Sequence, residues 1–375
     1  MNTSSDTQQT PHSIPGIPLA TRLDHDGDTA GRYRAILQRK IDEGARRAAG
    51  VITAIQQDQP RDQILPMRAA GFHVAPTGGI CIQVGAEHYE PTDFALGQIA
   101  GRAGIPLPYL RDLTAPQANG WQHELATQIL SQHYSHANDG RVLVRSVRGQ
   151  LRGWLSNRYR RLDSRPLVEA LADEAQKAGA IPIDGIVTPT RVAIKLVLPE
   201  ILEPIAGEFL VSGGEWSNSD YGNGVHSFRM FVLRVACLNG MTAENVLKQI
   251  HLGARLSDNI EFSERTHRLD TAASVSALRD VVRGALGPTS RDELMTTIRD
   301  AHQREMTKTQ VSQTTRSLPK PVQKSVVDAF ESSDVINLPE GPTAWRASNA
   351  ISWIARHTQD DELRLDLERL AGTVI

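Results

Sequence analysis

Cysteine is nearly missing from this chain of 375 residues: only Cys81 and Cys237 occur, each among apolar neighbours. With no CxxC and no cysteine–histidine spacing, neither a disulfide framework nor a structural zinc site has support, and two reduced, buried thiols are expected. Aromatics make up only 5% of the residues. No stretch approaches the ~18 consecutive apolar residues that a spanning helix needs. The first twenty residues are rich in Ser, Thr, Gln and Pro and lack the basic n-region and apolar run of a secretory signal. Residues 1–20 are therefore expected to be a disordered tail, and the protein to be cytoplasmic with no membrane partner. There is no GxGxxG between a strand and a helix, no GxxxxGK[ST] and no HExxH. Nucleotide hydrolysis at a phosphate-binding loop is disfavoured on that ground. No cofactor, metal or catalytic residue is assigned.

What is present is an ordinary globular composition, 40% hydrophobic and 22% charged, in a chain long enough for two or three units of domain size. An amphipathic helix is expected over 28–49, ending at Gly50, and a short hairpin over 72–84 with a Gly pair in its turn. Helices are expected from Thr92 to Gly104 and over 121–134. Strand pairs are expected at 141–147 with 151–156 and at 181–187 with 191–198, separated by a helix over 163–178. Residues 209–212 read as a strand, and 225–238 as a strand running into a helix. From there the pattern is helical: Thr242 to Gly253, Ser263 to Gly287, and a third helix opened by a capping box at Ser290-Arg-Asp-Glu293. The expected class is α+β, with a mixed or antiparallel sheet from the central strands, helices after it and a small helical C-terminal tail. The divisions are a tail (1–20), an N-terminal mixed region (21–135), a central core (136–306), a polar linker (307–321) and C-terminal helices (322–375).

Charge is unevenly spread. Residues 141–165 hold eight arginines against Asp163 alone, a net +7, whereas the whole chain is at −2, so the remainder carries −9. Guanidinium forks suit phosphate oxygens and aromatic rings stack on unpaired bases. Arg141, Arg145, Arg148, Arg152, Trp154, Arg158, Tyr159, Arg160 and Arg161 are accordingly candidate nucleic-acid contacts. The competing account is an arginine-rich surface or a set of internal ion pairs. Residues 213–224 read as a polar, glycine-rich loop in which Trp216, Asn218, Tyr221 and Asn223 are binding candidates. Glu215 and Asp220 in the same stretch are turn formers or, in a metal-dependent enzyme, ligands beside His226. His133-x-x-His136 near His123 has no third partner at a diagnostic spacing and reads as a surface helix end, and His251 as a capping or core histidine.

Four segments together resemble a known family: Trp154-Leu-Ser-Asn-Arg-Tyr-Arg-Arg-Leu-Asp163, Ser217-Asn-Ser-Asp-Tyr-Gly-Asn-Gly224, Arg234-Val-Ala-Cys-Leu-Asn-Gly-Met241 and His251-Leu-Gly253. Their order is similar to that of the phage/plasmid-like protein family, domain of unknown function 932. Further likeness lies in Gly104-Ile-Pro-Leu-Pro-Tyr-Leu-Arg111, Trp345-Arg-Ala-Ser-Asn-Ala-Ile351 and Leu367-Glu-Arg-Leu-Ala-Gly372. The resemblance implies a gene on a mobile element or prophage and carries no established activity. The resulting expectation is a nonenzymatic accessory factor that binds or anneals single-stranded DNA, with self-association into a homo-oligomer open. The alternatives are a metal-dependent nuclease or nucleotide-processing enzyme, and a protein-binding inhibitor of host defence.

Overall fold

The computed structural model describes residues 28–137, 140–236, 238–243, 263–333 and 338–375. The expected tail at 1–20, Cys237 and His251 lie outside them. The chain opens with α1 (Asp28–Gln57). Its buried positions Tyr33, Leu37, Ile41, Gly44, Ala48, Val51 and Ile55 recur every three or four residues, one stripe of a helix. The helix does not stop at Gly50 as expected, because Val51 and Ile55 continue the stripe into the core.

β1 (Arg61–Pro66), β2 (Gly71–Val74), β3 (Ile80–Val84), β4 (Glu87–Pro91), β5 (Arg141–Val147) and β6 (Gln150–Ser156) form one sheet in the order β1-β5-β6-β4-β3-β2. The expected hairpins are both there. Gly78 and Gly79 turn the first at φ 88° and 81°, and Arg148 and Gly149 turn the second at φ 51° and 78°. Three helices cover this sheet: α2 (Asp93–Ala103), α3 (Leu107–Thr114) and α4 (Gly120–Ser135). Thr92 caps α2 by accepting the Ala95 N–H at 3.2 Å, and left-handed Gly104 ends it, both as the sequence implied. The hairpin β5–β6 belongs to this sheet, so the first unit runs past residue 135.

After α5 (Ser164–Ala178) come β7 (Ile181–Val187), β8 (Val192–Val197), β9 (Leu202–Ile205), β10 (Glu208–Asn218), β11 (Ser227–Arg234) and β12 (Asn239–Ala243). They form a second, antiparallel sheet in the order β12-β11-β10-β8-β7, with β9 also on β10. Two expectations are corrected here. Glycine-rich residues 213–218 are not loop but the end of β10, where Gly213 and Gly214 lie against the Leu196–Val197 backbone and the Phe228 ring with no room for a Cβ. Strand β11 does not run into a helix: it turns at Leu238, φ 53°, and Thr242 sits in β12 rather than capping a helix. The expected helical run to Gly253 otherwise falls outside the described residues.

The C-terminal part is helical: α6 (Glu264–Ala285), α7 (Pro288–Gln303), α8 (Lys308–Thr314), α9 (Lys320–Glu331), α10 (Ala344–His357) and α11 (Asp361–Val374). Ser263 caps α6 as expected, but α7 starts at Pro288 with Gly287 before it, and Ser290 bonds back to the Gly284 carbonyl at 3.0 Å instead of forming a capping box. The supposed linker 307–321 contains α8, held by a Thr307–Gln310 capping box and by burial of Val311 and Thr315. α10 and α11 dock on the second sheet. Trp345 is wholly buried in that core with Trp216, and Trp154 fills the core of the first sheet. The α+β class is as the sequence implied.

Candidate functional site

The arginine hairpin lies at the junction of the two sheets, and its charges are consumed there. Arg145 is 1% exposed on β5. It donates Nε to Asp62 at 2.8 Å, Nη1 to the Asp220 carbonyl at 2.7 Å and Nη2 to Asp163 at 2.5 Å. Burial opposes its charge, and Asp163 and Asp62 outweigh that and hold the guanidinium charged. Arg148 and Arg152 share Asp58 at 3.1 and 3.0 Å, Arg160 forks onto Asp270, Arg161 bridges Asp62 and Glu264, and Arg165 pairs with Glu169. Arg141 and Arg158 are not without partners either. Trp154 is buried edge-on to Tyr134 with the ring centroids 5.6 Å apart, and the Tyr159 hydroxyl donates to the Ser219 carbonyl at 3.0 Å.

The second set of candidates meets the first at this junction, also facing inward. Trp216 is fully buried on β10. Asn218 donates to the Leu162 carbonyl and to Asp220, Tyr221 is buried under the Arg152 guanidinium, and Asn223 donates to Thr190 at 2.8 Å. Burial pushes the Asp220 carboxyl up to about 6, although Ser164 donates both its backbone N–H and its hydroxyl to it. Glu215 is not beside Asp220 but faces α11, where it takes Arg369. His226 packs edge-on to Trp216. Among the described residues no group of three His, Cys, Asp or Glu is placed to hold a metal ion.

An open, charged cleft lies elsewhere among the described residues. Gly44 of α1 has the Ile183 backbone where its Cβ would be, and Gly185 of β7 meets Arg47 in the same way at 2.7 Å, so α1 lies directly on the strand. Gly372 lets α11 lie equally close on the Thr242 carbonyl of β12. Among the described residues the sheet between these helices is left uncovered, and a cleft of about 440 Å³ opens onto it. Its floor carries Asp184, Lys195, Phe231 and Gly240; its walls carry Arg39, Lys40, Glu43 and Arg47 from α1, Arg356 from α10, and Arg364 and Glu368 from α11. Ile36, Leu233 and Leu238 add an apolar side.

The floor is part of a buried charge cluster. Lys195, on the inner strand β8, pairs closely with Glu368 and lies 4.0 Å from both Asp184 and Glu215. Asp184 also takes Arg47 at 3.2 Å and Arg364 at 3.4 Å; Glu215 takes the Thr242 hydroxyl at 3.2 Å and Arg369 at 3.3 Å. Burial works against the Lys195 ammonium, but Glu368, Asp184 and Glu215 keep its pKa above the ordinary lysine value. Burial pushes Glu368 up, against the pull of Lys195. Asp184 is held low because Lys195, Arg364 and Lys40 outweigh the cost of its burial. Lys40 is different. Burial draws its pKa down, Asp184 and Glu43 offset this in part, and Arg47 and Lys195 add to it.

The sequence reading missed this site. Lys195 reads as one polar residue in an alternating strand, and its carboxylate partner Glu368 is 173 residues away. The one local signal is a charge in the middle of an otherwise apolar strand, at 195. No family model, curated protein or solved structure matches the chain.

Proposed function

We propose that this protein binds a small organic anion, bearing phosphate or carboxylate groups, in the cleft between α1 and α11. One observation carries this: the cleft walls and floor hold six cationic side chains (Arg39, Lys40, Arg47, Lys195, Arg356, Arg364) against three acidic ones. Among the described residues, neither Arg39 nor Lys40 forms an ion pair. A concave site with an apolar side and converging polar groups is the usual form of a ligand pocket. Arg39 and Lys40, left unmatched there, favour an anion. Ile36, Leu233 and Leu238 would take the uncharged part of the ligand.

Single-strand binding by the hairpin would require breaking the pairs that Arg145, Arg148, Arg152, Arg160 and Arg161 already make, with Trp154 out of reach of a base. The cleft is therefore the better supported site. The motif likeness to phage and plasmid proteins supports a mobile-element origin and is independent of the ligand.

Calorimetric titration of the protein with pyrophosphate, adenosine monophosphate and succinate tests the reading. Binding of at least one is expected. The double variant Arg39→Gln/Lys40→Gln is expected to weaken it by about 1.5–3 kcal/mol for each charged hydrogen bond to the ligand that is removed, about tenfold or more in Kd. Heat from none of the three, or equal affinity in the double variant, would remove the cleft as an anion site.

A further inference from the structure

We propose that Lys40 is a nucleophile that forms an imine with the carbonyl carbon of an anionic aldehyde or ketone held in the cleft, an inference that rests on the anion-binding reading above.

The case is one of contrast among the cations. Arginine stays protonated in proteins, so the guanidinium groups around the cleft can hold an anion but cannot attack a carbonyl. Among the described residues Lys195 is one of two amines lining the cleft, and it is locked as an ammonium among three carboxylates. Lys40 is the other. It is half-buried on the wall formed by α1, and it makes no ion pair among the described residues. Asp184, which draws it most strongly, is already occupied by Arg47 and Arg364. Glu43, one turn along α1, is paired with Arg47 at 3.2 Å. Loss of the Lys40 proton therefore leaves no carboxylate stranded, and its partial burial favours the neutral amine, as in lysines that form Schiff bases.

The chemistry needs no further reagent. The nitrogen lone pair of the neutral amine forms the C–N bond to the carbonyl carbon, giving a carbinolamine. The carbonyl oxygen then leaves as water with the two hydrogens of the amine, and a C=N bond remains. Nothing is oxidised or reduced. Placement follows from charge: an anionic group drawn to Arg39, the neighbour of Lys40 in the cleft lining, holds the carbonyl of the same molecule near the amine.

The test treats the full chain with a small excess of pyridoxal 5′-phosphate, and in parallel with uncharged pyridoxal, then reduces with borohydride and maps the labelled peptides. Pyrophosphate binding is measured on the same protein by calorimetry. The expected result is labelling of Lys40 several-fold faster than of the exposed Lys308, Lys320 and Lys324, faster with the phosphorylated aldehyde than with pyridoxal, and slowed by pyrophosphate. Lys40→Arg is expected to remove that label. If pyrophosphate binds but Lys40 reacts no faster than the exposed lysines, the nucleophile is overturned and the anion site stands. If pyrophosphate does not bind and both aldehydes label Lys40 at the rate of the exposed lysines, both fail together.

Discussion

At the scale of single residues, the junction between the sheets depends on a buried cation. Arg145 satisfies Asp62, Asp163 and the Asp220 carbonyl at once, and removal of one member of a buried ion network leaves carboxylates uncompensated. Arg145→Leu is expected to cost about 3–5 kcal/mol in urea denaturation; a loss below about 1 kcal/mol would mean that the network adds little. Asp220, pushed up to about 6 by its burial, makes a second prediction. An unfolded aspartate titrates near 3.9, so between roughly pH 4 and 6 the folded state holds the proton that the unfolded state has lost. Stability from this group is thus present at low pH and falls as pH rises through that window. Asp220→Asn lacks the titration, and the variant is expected to gain stability relative to the parent from pH 4 to pH 6.5. A difference between the two that stays flat across those pH values would contradict the assignment.

At the scale of elements, glycines decide where helices lie. Gly44 and Gly50 are both inside α1, yet only Gly44 meets another backbone, while nothing lies within 4 Å of a Cβ at Gly50. Alanine raises helix propensity by about 1 kcal/mol at either position. Gly50→Ala is expected to stabilise by up to that amount. Gly44→Ala is expected instead to lose about 1–3 kcal/mol through overpacking against Ile183 and, by lifting α1 off β7, to widen the cleft and weaken anion binding. Equal melting temperatures for the two variants would show that α1 is not seated as described. Expectations at this scale succeed where the signal is local. The cap at Thr92, the stop at Gly104 and the Arg148-Gly149 turn need only neighbouring residues. The misread segment 213–218 failed for the opposite reason: its glycines serve close packing of β10 against β8 and the Phe228 ring, a requirement set by residues more than ten positions away.

At the scale of the whole molecule, the C-terminal helices complete the second sheet. α11 supplies Glu368 to Lys195, Arg364 to Asp184 and Arg369 to Glu215, and α10 buries Trp345 in the shared core. A chain ending at residue 337 would leave two acids and a lysine buried without these partners, at a cost of several kcal/mol per ion, against a typical total stability of about 5–15 kcal/mol. Such a truncation is expected to show no cooperative melting by circular dichroism. A sharp transition near that of the parent would show that the two C-terminal helices are an appendage.

The α+β class, the two hairpins and most helix positions were determined by the sequence itself, because period, caps and turn residues act over a few positions. The arginine run was legible too, but only as a sum of charge. Its meaning came from Asp58, Asp62 and Asp270, which approach it from elements outside the run and turn a +7 segment into a set of internal pairs. The cleft was not legible at all. Its charges come from α1, β7, β8, α10 and α11, spread from residue 39 to residue 368. No spacing in the chain records which of these charges find partners and which are left facing solvent; that is decided when two helices dock on one sheet face with a gap between them.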